Sequence, residues 1–196
     1  MIPARVVLAT GNAGKVRELR ALVAEWGGVQ MSALADYPGV EVPAEDGATY
    51  EANAVLKARA VAMAVQMPAL ADDSGLEVDA LGGAPGVFSA RYAATDAERI
   101  AKLLAALTGV AELERTARFR CVVALAWPDG VVVTAVGECE GRVLSVPTGA
   151  GGFGYDPVFW SQDLARPLAE VPIADKQRVS HRARAVRALG QRLASS

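Results

Sequence analysis

Six residues, Thr10-Gly11-Asn12-Ala13-Gly14-Lys15, follow the apolar run Val6 to Ala9. They open a stretch in which Val16, Leu19, Leu22, Val23 and Trp26 recur at helical spacing. A strand that breaks into glycine and then starts a helix leaves backbone N–H groups at the helix N-terminus, and their partial positive charge suits a phosphate. Gly11 and Gly14 let a ligand approach the backbone, and Lys15 adds a full charge. The glycines stand three apart and no Ser or Thr follows the lysine, so the Walker spacing is excluded. The segment reads either as a phosphate loop or as a strand-to-helix turn with a surface lysine. Asp72-Asp73-Ser74 directly follows the apolar Ala69-Leu70-Ala71. Adjacent side chains of extended chain point to opposite faces, so only one of the two carboxylates need face a given cleft. Two acids at a strand end near a phosphate cradle suggest Mg²⁺; the alternative is a pair of turn acids bonding local N–H groups.

Gly151-Gly152-Phe153-Gly154-Tyr155-Asp156-Pro157 sets two aromatic rings in a glycine-flanked loop. Ordering such rings needs a reward, which a stacked base or the adjacent core would supply. Asp156 reads as an acceptor for a base edge or as a turn cap. Ser180-His181-Arg182 contains the single histidine of the chain. No Ser or Cys stands in a nucleophile motif, so a histidine-based triad has little support. Arg182 offers a rigid donor fork suited to a carbonyl oxygen or a phosphate.

The elements that must position these residues alternate along the chain. Strand 5–9 leads to helix 14–26, and an irregular acidic stretch follows from Tyr37 to Gly47. A long helix is predicted over 49–66, with Thr49 as its N-cap and Asn53 and Lys57 sharing a face. Pro68 ends it, Ala69 to Ala71 reads as a short buried strand that stops at Asp72, and Leu76 to Val78 is extended again. Thr95-Asp96-Ala97-Glu98 has capping-box spacing for a helix through Leu107. Phe119–Trp127 and Val131–Val136 flank Pro128-Asp129-Gly130 as a β-hairpin. A basic helix closes the chain. The pattern is mixed α/β, with polar signals gathered at strand ends, where open α/β sheets place ligands.

Composition narrows the function classes. The chain has 196 residues, 52% hydrophobic and 21% charged, which fits one well-buried core, with two lobes as an option, and excludes a disordered chain. No apolar stretch approaches membrane-spanning length, and the first strand starts too close to Met1 to leave room for a signal peptide. Cys121 and Cys139 cannot form a disulfide framework; on paired strands they are expected near each other and reduced. Residues 176–196 carry six cations and no acid against a net charge of −2 for the whole chain, leaving −8 on residues 1–175. Such a helix could bind nucleic acid or direct cations at a small anion; no aromatic is interleaved, which disfavours single-strand binding. A solvated face is expected for Arg184, Arg187 and Arg192.

Four motifs stand in order: TGNAGK at 10–15, ALADDSGLEVDALGGAPGVFSARY at 69–92, GGFGYDP at 151–157, and Lys176 with SHR at 180–182. In these, and over nearly its whole length, the chain resembles the non-canonical purine nucleoside triphosphate pyrophosphatases, which include inosine triphosphate pyrophosphatase. The resemblance implies a single domain over 1–196, an elongated mixed α/β sheet with flanking helices, and two lobes around a central active-site cleft. It implies a cytoplasmic homodimer with no membrane and no stable nucleic-acid partner. The implied activity is Mg²⁺-dependent hydrolysis of inosine, deoxyinosine and xanthosine triphosphates to monophosphate and pyrophosphate, which cleanses the nucleotide pool. By position, Thr10, Gly11, Asn12, Ala13, Gly14 and Lys15 would bind the triphosphate and Asp73 would be the general base. Lys57 and Ser74 would contact substrate, and Phe153, Gly154, Tyr155 and Asp156 would hold the base. Lys176, His181 and Arg182 would complete the nucleobase and phosphate contacts, with the Arg182 fork favouring a 6-oxo group over an amino group. One departure stands out: the acid that commonly precedes Asn-Ala of the long helix is Ala52 here. Glu45, Asp46 and Glu51 lie near, and Glu45 is taken with Asp73 as the metal pair. The rival readings are a pyrophosphatase for modified pyrimidine triphosphates, a nucleic-acid-binding module, and an aspartyl-phosphate phosphatase.

Overall fold

The apolar residues Val6 to Leu8 lie fully inside strand β1 (Arg5–Leu8) of the computed structural model, which describes residues 1–195. Helix α1 (Ala13–Ala24) follows at once, its first turn capped by the Asn12 side chain, which accepts from Lys15 N at 3.1 Å. Strand β2 (Gln30–Ala33) runs parallel to β1, and so does β3 (Ala69–Val78). Parallel neighbours need a long crossover. Helix α1 supplies it between the neighbours β1 and β2, and helix α2 (Tyr50–Val65) carries the chain from β2 past β1 to β3. Thr49 caps α2 by accepting from Ala52 N at 3.1 Å, and Gln66 ends it in the left-handed region at φ 54°.

Helix α3 (Asp96–Ala106) starts on the expected capping box: Thr95 N donates to Glu98 Oε2 at 2.9 Å and Glu98 N to Thr95 Oγ1 at 3.2 Å. Strands β4 (Thr116–Ala126) and β5 (Val132–Val143) form the hairpin, longer than the sequence suggests. Its turn has Trp127 N bonded to Val131 O at 2.9 Å, with Gly130 at φ 93°. Strands β6 (Phe159–Ser161) and β7 (Arg166–Pro167) are antiparallel additions, so the seven-stranded sheet, in order β2-β1-β3-β4-β5-β6-β7, is mixed. Helices α4 (Ile173–Val179) and α5 (His181–Ala194) end the described chain.

Two expectations are corrected here. Strand β3 does not stop at Asp72; it runs unbroken through Asp72-Asp73-Ser74-Gly75, with both acids buried. The basic segment is two helices, broken at Ser180, whose ψ of 151° is extended.

Two compact units share the chain. The first comprises Met1–Asp73, Cys121–Gly137 and the described residues from Arg182 onward; the second comprises Ser74–Arg120 and Glu138–His181. In the first, Val6, Leu8 and Leu70 pack with Leu19, Leu22 and Val23 of α1 and Val186 and Leu189 of α5. In the second, Leu76 and Val78 pack with Ile100 and Leu103 of α3 and with Phe119, Val158 and Phe159. Cys121 belongs to the first core and Cys139 to the second, and both are free thiols. Among the described residues, no helix is long and apolar enough to cross a membrane.

Candidate active site

In the first unit, β3, α1, α2 and α5 bring charge together. Asp72 is 1% exposed, and its Oδ2 meets Lys15 Nζ at 3.1 Å and Arg182 Nε and Nη2 at 3.1 Å each. Its backbone carbonyl accepts from Lys57 Nζ at 2.6 Å. Burial pushes the Asp72 carboxyl up, but Lys15, Arg182 and Lys57 outweigh it and hold the acid well below the usual carboxylate range. Arg182, also 1% exposed, places Nη1 on Glu18, a buried acid of α1. A guanidinium removed from water must be paired, and two carboxylates pair this one. Its fork therefore faces Asp72 and Glu18, where the sequence pointed it at a 6-oxo group.

Asp73 stands on the other face of the same strand. Its Oδ2 accepts from Asn53 Nδ2 at 2.8 Å, while Asn53 Oδ1 accepts from Gly47 N at 2.8 Å, so both ends of the amide are fixed. Burial raises the Asp73 carboxyl above the usual range; the Asn53 bond opposes this, and the charge of Glu45 adds to it. Lys57, from the same face of α2 as Asn53, pairs with Glu45. In the loop before α1, Asn12 N donates to Thr10 Oγ1 at 3.2 Å. A Cβ on Gly11 would meet nothing within 4 Å, and its φ is not in the left-handed region, so the fold itself does not demand glycine there. The open backbone suits a close-lying ligand.

In the second unit, Asp156 is 2% exposed and organises the glycine-rich loop. Its Oδ2 accepts from Phe153 N at 2.9 Å and from Lys176 Nζ at 2.7 Å. The Lys176 ammonium lies 4.7 Å from the centroid of the Phe153 ring. Gly152 permits this closure: its φ is 76°, and a Cβ would stand 2.2 Å from Asp156 Oδ2. Gly154 N donates to Asp96 Oδ2 at 2.9 Å. Tyr155 is the core plug of the two alternatives, buried with its hydroxyl donating to Ser89 O at 3.0 Å, and burial raises its phenol so that it stays a neutral donor. His181 stacks on Phe119, with centroids 4.8 Å apart and 15° between planes. Ser74 is half-buried on β3.

No cluster of three or more His, Cys, Asp or Glu side chains suited to a metal exists among the described residues. What exists is Asp73 under the like charge of Glu45. Two hard oxygen donors that repel each other fit a cation which takes one or two carboxylates and fills its shell with water and phosphate oxygens, as Mg²⁺ does.

The predicted residues thus fall in two sets. Lys15, Lys57, Asp73, Arg182 and Glu45 gather in the first unit, and Phe153, Tyr155, Asp156, Lys176 and His181 in the second. Sequence reading assigned no role to Glu18, Ser89 or Asp96 and did not see Asn53 as the partner of Asp73. A signal existed for Glu18, an acid three residues after Lys15 beside the apolar stripe of α1; none existed for Ser89, which meets Tyr155 through its backbone carbonyl and Leu76 N through its hydroxyl.

Known proteins share this arrangement of strands and helices. A HAM1 protein from Coxiella burnetii matches the structure with a TM-score of 0.87 at 39% identity, over 98% of this chain and 99% of that one. The Staphylococcus aureus Ham1 protein matches at 0.85 and 35% identity, over 97% and 98%. Among curated sequences, a dITP/XTP pyrophosphatase of Gloeobacter violaceus is 52% identical over 184 residues, spanning 94% of this chain and 91% of that protein. A dITP/XTP pyrophosphatase of Thermus thermophilus is 51% identical over 187 residues, spanning 94% and 89%. The Ham1 family model matches residues 6–192, so strand β1 through helix α5 is one continuous match, and the chain belongs to the Ham1 family.

Proposed function

We propose that this protein is a nucleoside triphosphate pyrophosphatase that hydrolyses deoxyinosine, inosine and xanthosine triphosphates to the monophosphate and pyrophosphate, clearing them from the nucleotide pool. The observation that carries the reading is Asp73: a buried carboxylate with a raised proton affinity, oriented by Asn53 beside Lys15 and Lys57. A base works best when its proton affinity lies near the operating pH, and this acid is displaced in that direction. The dITP/XTP pyrophosphatase names of relatives near 50% identity support the same chemistry.

Asp73 takes the proton of the water that attacks the α-phosphorus in line. Asn53 holds Oδ2, which sets the plane of the carboxylate for that transfer. Lys15 and the N–H groups at the start of α1 take up the negative charge that grows on the departing pyrophosphate. Lys57 keeps Glu45 in place beside Asp73. Phe153, Gly154, Asp156, Lys176 and His181 are assigned to the nucleobase and Ser74 to the substrate, with Tyr155 holding the loop from the core and Arg182 standing behind Asp72. Mg²⁺ held by Asp73 and Glu45 would neutralise phosphate oxygens. The chain acts in this reading as one catalytic domain, in a cytoplasmic homodimer.

The test is product analysis after incubation with deoxyinosine triphosphate and Mg²⁺. Monophosphate and pyrophosphate in equal amounts are expected. Orthophosphate instead would mean cleavage at the terminal phosphate and end this reading, and faster turnover of modified pyrimidine triphosphates would transfer it to the rival substrate class.

A further inference from the structure

Lys15 comes from the first turn of α1 and Arg182 from the start of α5, yet both cations close on one oxygen, Oδ2 of Asp72. The Asp72 side chain is wholly buried, so it meets no ligand itself, whereas the Lys15 side chain keeps 17% of its surface exposed. We propose that Asp72 is a positioning residue for polyphosphate binding: the buried anchor that holds the Lys15 ammonium toward the phosphates, with Arg182 as its rigid support. The proposal rests on the pyrophosphatase reading above.

An unanchored lysine has many rotamers to lose when a ligand fixes it. Here the backbone end is fixed by Asn12, which caps Lys15 N at 3.1 Å, and the tip by Asp72 at 3.1 Å. An ammonium has three hydrogens, so one bond to Asp72 leaves donors for a phosphate. Arg182 keeps the anchor itself from turning: Nε and Nη2 grip Oδ2 while Nη1 is held by Glu18. Asp72 and Glu18 balance Lys15 and Arg182, so the buried group has no net charge of its own. The opposite role for Asp72 would be to sequester Lys15 and compete with phosphate. The two roles differ in sign.

The probe is inorganic pyrophosphate titrated calorimetrically into the full chain in the presence of a chelator. Asp72→Asn is expected to raise its Kd about tenfold to a hundredfold, the loss that follows from one charge-assisted bond. KM for deoxyinosine triphosphate rises with it, while kcat changes less. Thr49→Ala deletes the N-cap of α2 and touches neither Asp72 nor Lys15; it lowers Tm but leaves the pyrophosphate Kd unchanged, which separates anchoring from general loosening. If Asp72→Asn does not fold, Lys15→Met and the double variant Lys15→Met/Asp72→Asn carry the test, because there Arg182 is still balanced by Glu18. The double variant is expected to bind pyrophosphate as weakly as Lys15→Met and no weaker. Tighter or unchanged binding in Asp72→Asn, or a further loss in the double variant, overturns the proposal. An active wild type with normal binding in Asp72→Asn sinks the anchor alone; a wild type that neither cleaves nor binds sinks the pyrophosphatase reading, and the anchor falls with it.

Discussion

Asp72 and Asp73 are adjacent in the chain, and their proton affinities are displaced in opposite directions. Three cations keep Asp72 ionised, while burial and Glu45 hold Asp73 up. Paired acids driven apart in this way divide their tasks, one as a fixed charge and the other as a proton acceptor. Asp73→Asn is therefore expected to fold and to lose at least about 10²-fold in kcat, the lower end for a missing general base. Affinity for nucleotide should fall much less, and single-turnover rates with measured Kd separate the two. The pH profile gives a second check. Turnover needs ionised Asp73, so kcat declines as pH falls through its folded value, which lies above the ordinary aspartate figure of about 3.9. Glu45→Gln removes a charge that raises that value, so the acid limb of kcat should move to lower pH whatever happens to the maximal rate. An acid limb that stays in place would show that the limb belongs to another group.

Strand β3 and helix α2 turn these residue properties into a site. Alternation along β3 sends the two carboxylates to opposite faces, and α2 delivers Asn53 and Lys57 from positions four apart. Helices α2 and α3 and the β4–β5 hairpin were legible in the sequence because their signals are local: Thr49 before α2, the Thr95–Glu98 box before α3, Pro128-Asp129-Gly130 in the hairpin. The continuity of β3 was not, since Asp72-Asp73-Ser74-Gly75 has the composition of a turn. What holds it extended lies far away in sequence: Lys15, Asn53 and, 110 residues on, Arg182. The candidate site residues were legible as types in motifs, but the pairing of Arg182 with Glu18 spans 164 residues and has no local signature. Two substitutions on α2 separate support from chemistry. Thr49→Ala deletes the cap and should cost about 1 kcal/mol of stability with the pH profile unmoved. Asn53→Ala deletes a bond that lowers the Asp73 carboxyl, so the acid limb of kcat should move to higher pH, opposite to Glu45→Gln. A limb that moves equally in both α2 variants would mean that the helix only supports the site.

At the scale of the whole molecule, the chain passes from the first unit to the second between Asp73 and Ser74, returns for Cys121–Gly137, and returns finally between His181 and Arg182. Each unit has its own core, and the closing basic segment is divided between the two units while packing into the first core. Along α5, Ala185, Val186, Leu189 and Leu193 are buried, so this helix is a core element and not a free cationic rod. Its charges are engaged as well. Lys176 is bonded to Asp156, Arg178 to Asp175, and Arg182 to Asp72 and Glu18. Arg187 takes both oxygens of Glu25, at 2.8 and 2.9 Å, and Arg192 donates to Thr134 O. The cations that made residues 176–196 look like a nucleic-acid surface are thus largely paired within the chain, Lys176 and Arg182 in its interior and Arg178 and Arg187 at its surface, on a chain of net charge −2. Binding to a nucleic-acid backbone releases counterions and leaves a steep salt dependence in proportion to the phosphates neutralised. With five of the six cations bonded internally, fluorescence anisotropy with duplex and single-stranded DNA across a salt series should show no saturable binding stronger than about 10⁻⁶ M at physiological salt, the tight end of non-specific association. A Kd below that value which weakens steeply with added salt would reveal a cationic surface that these pairings do not neutralise, and would bring the nucleic-acid module back as a reading.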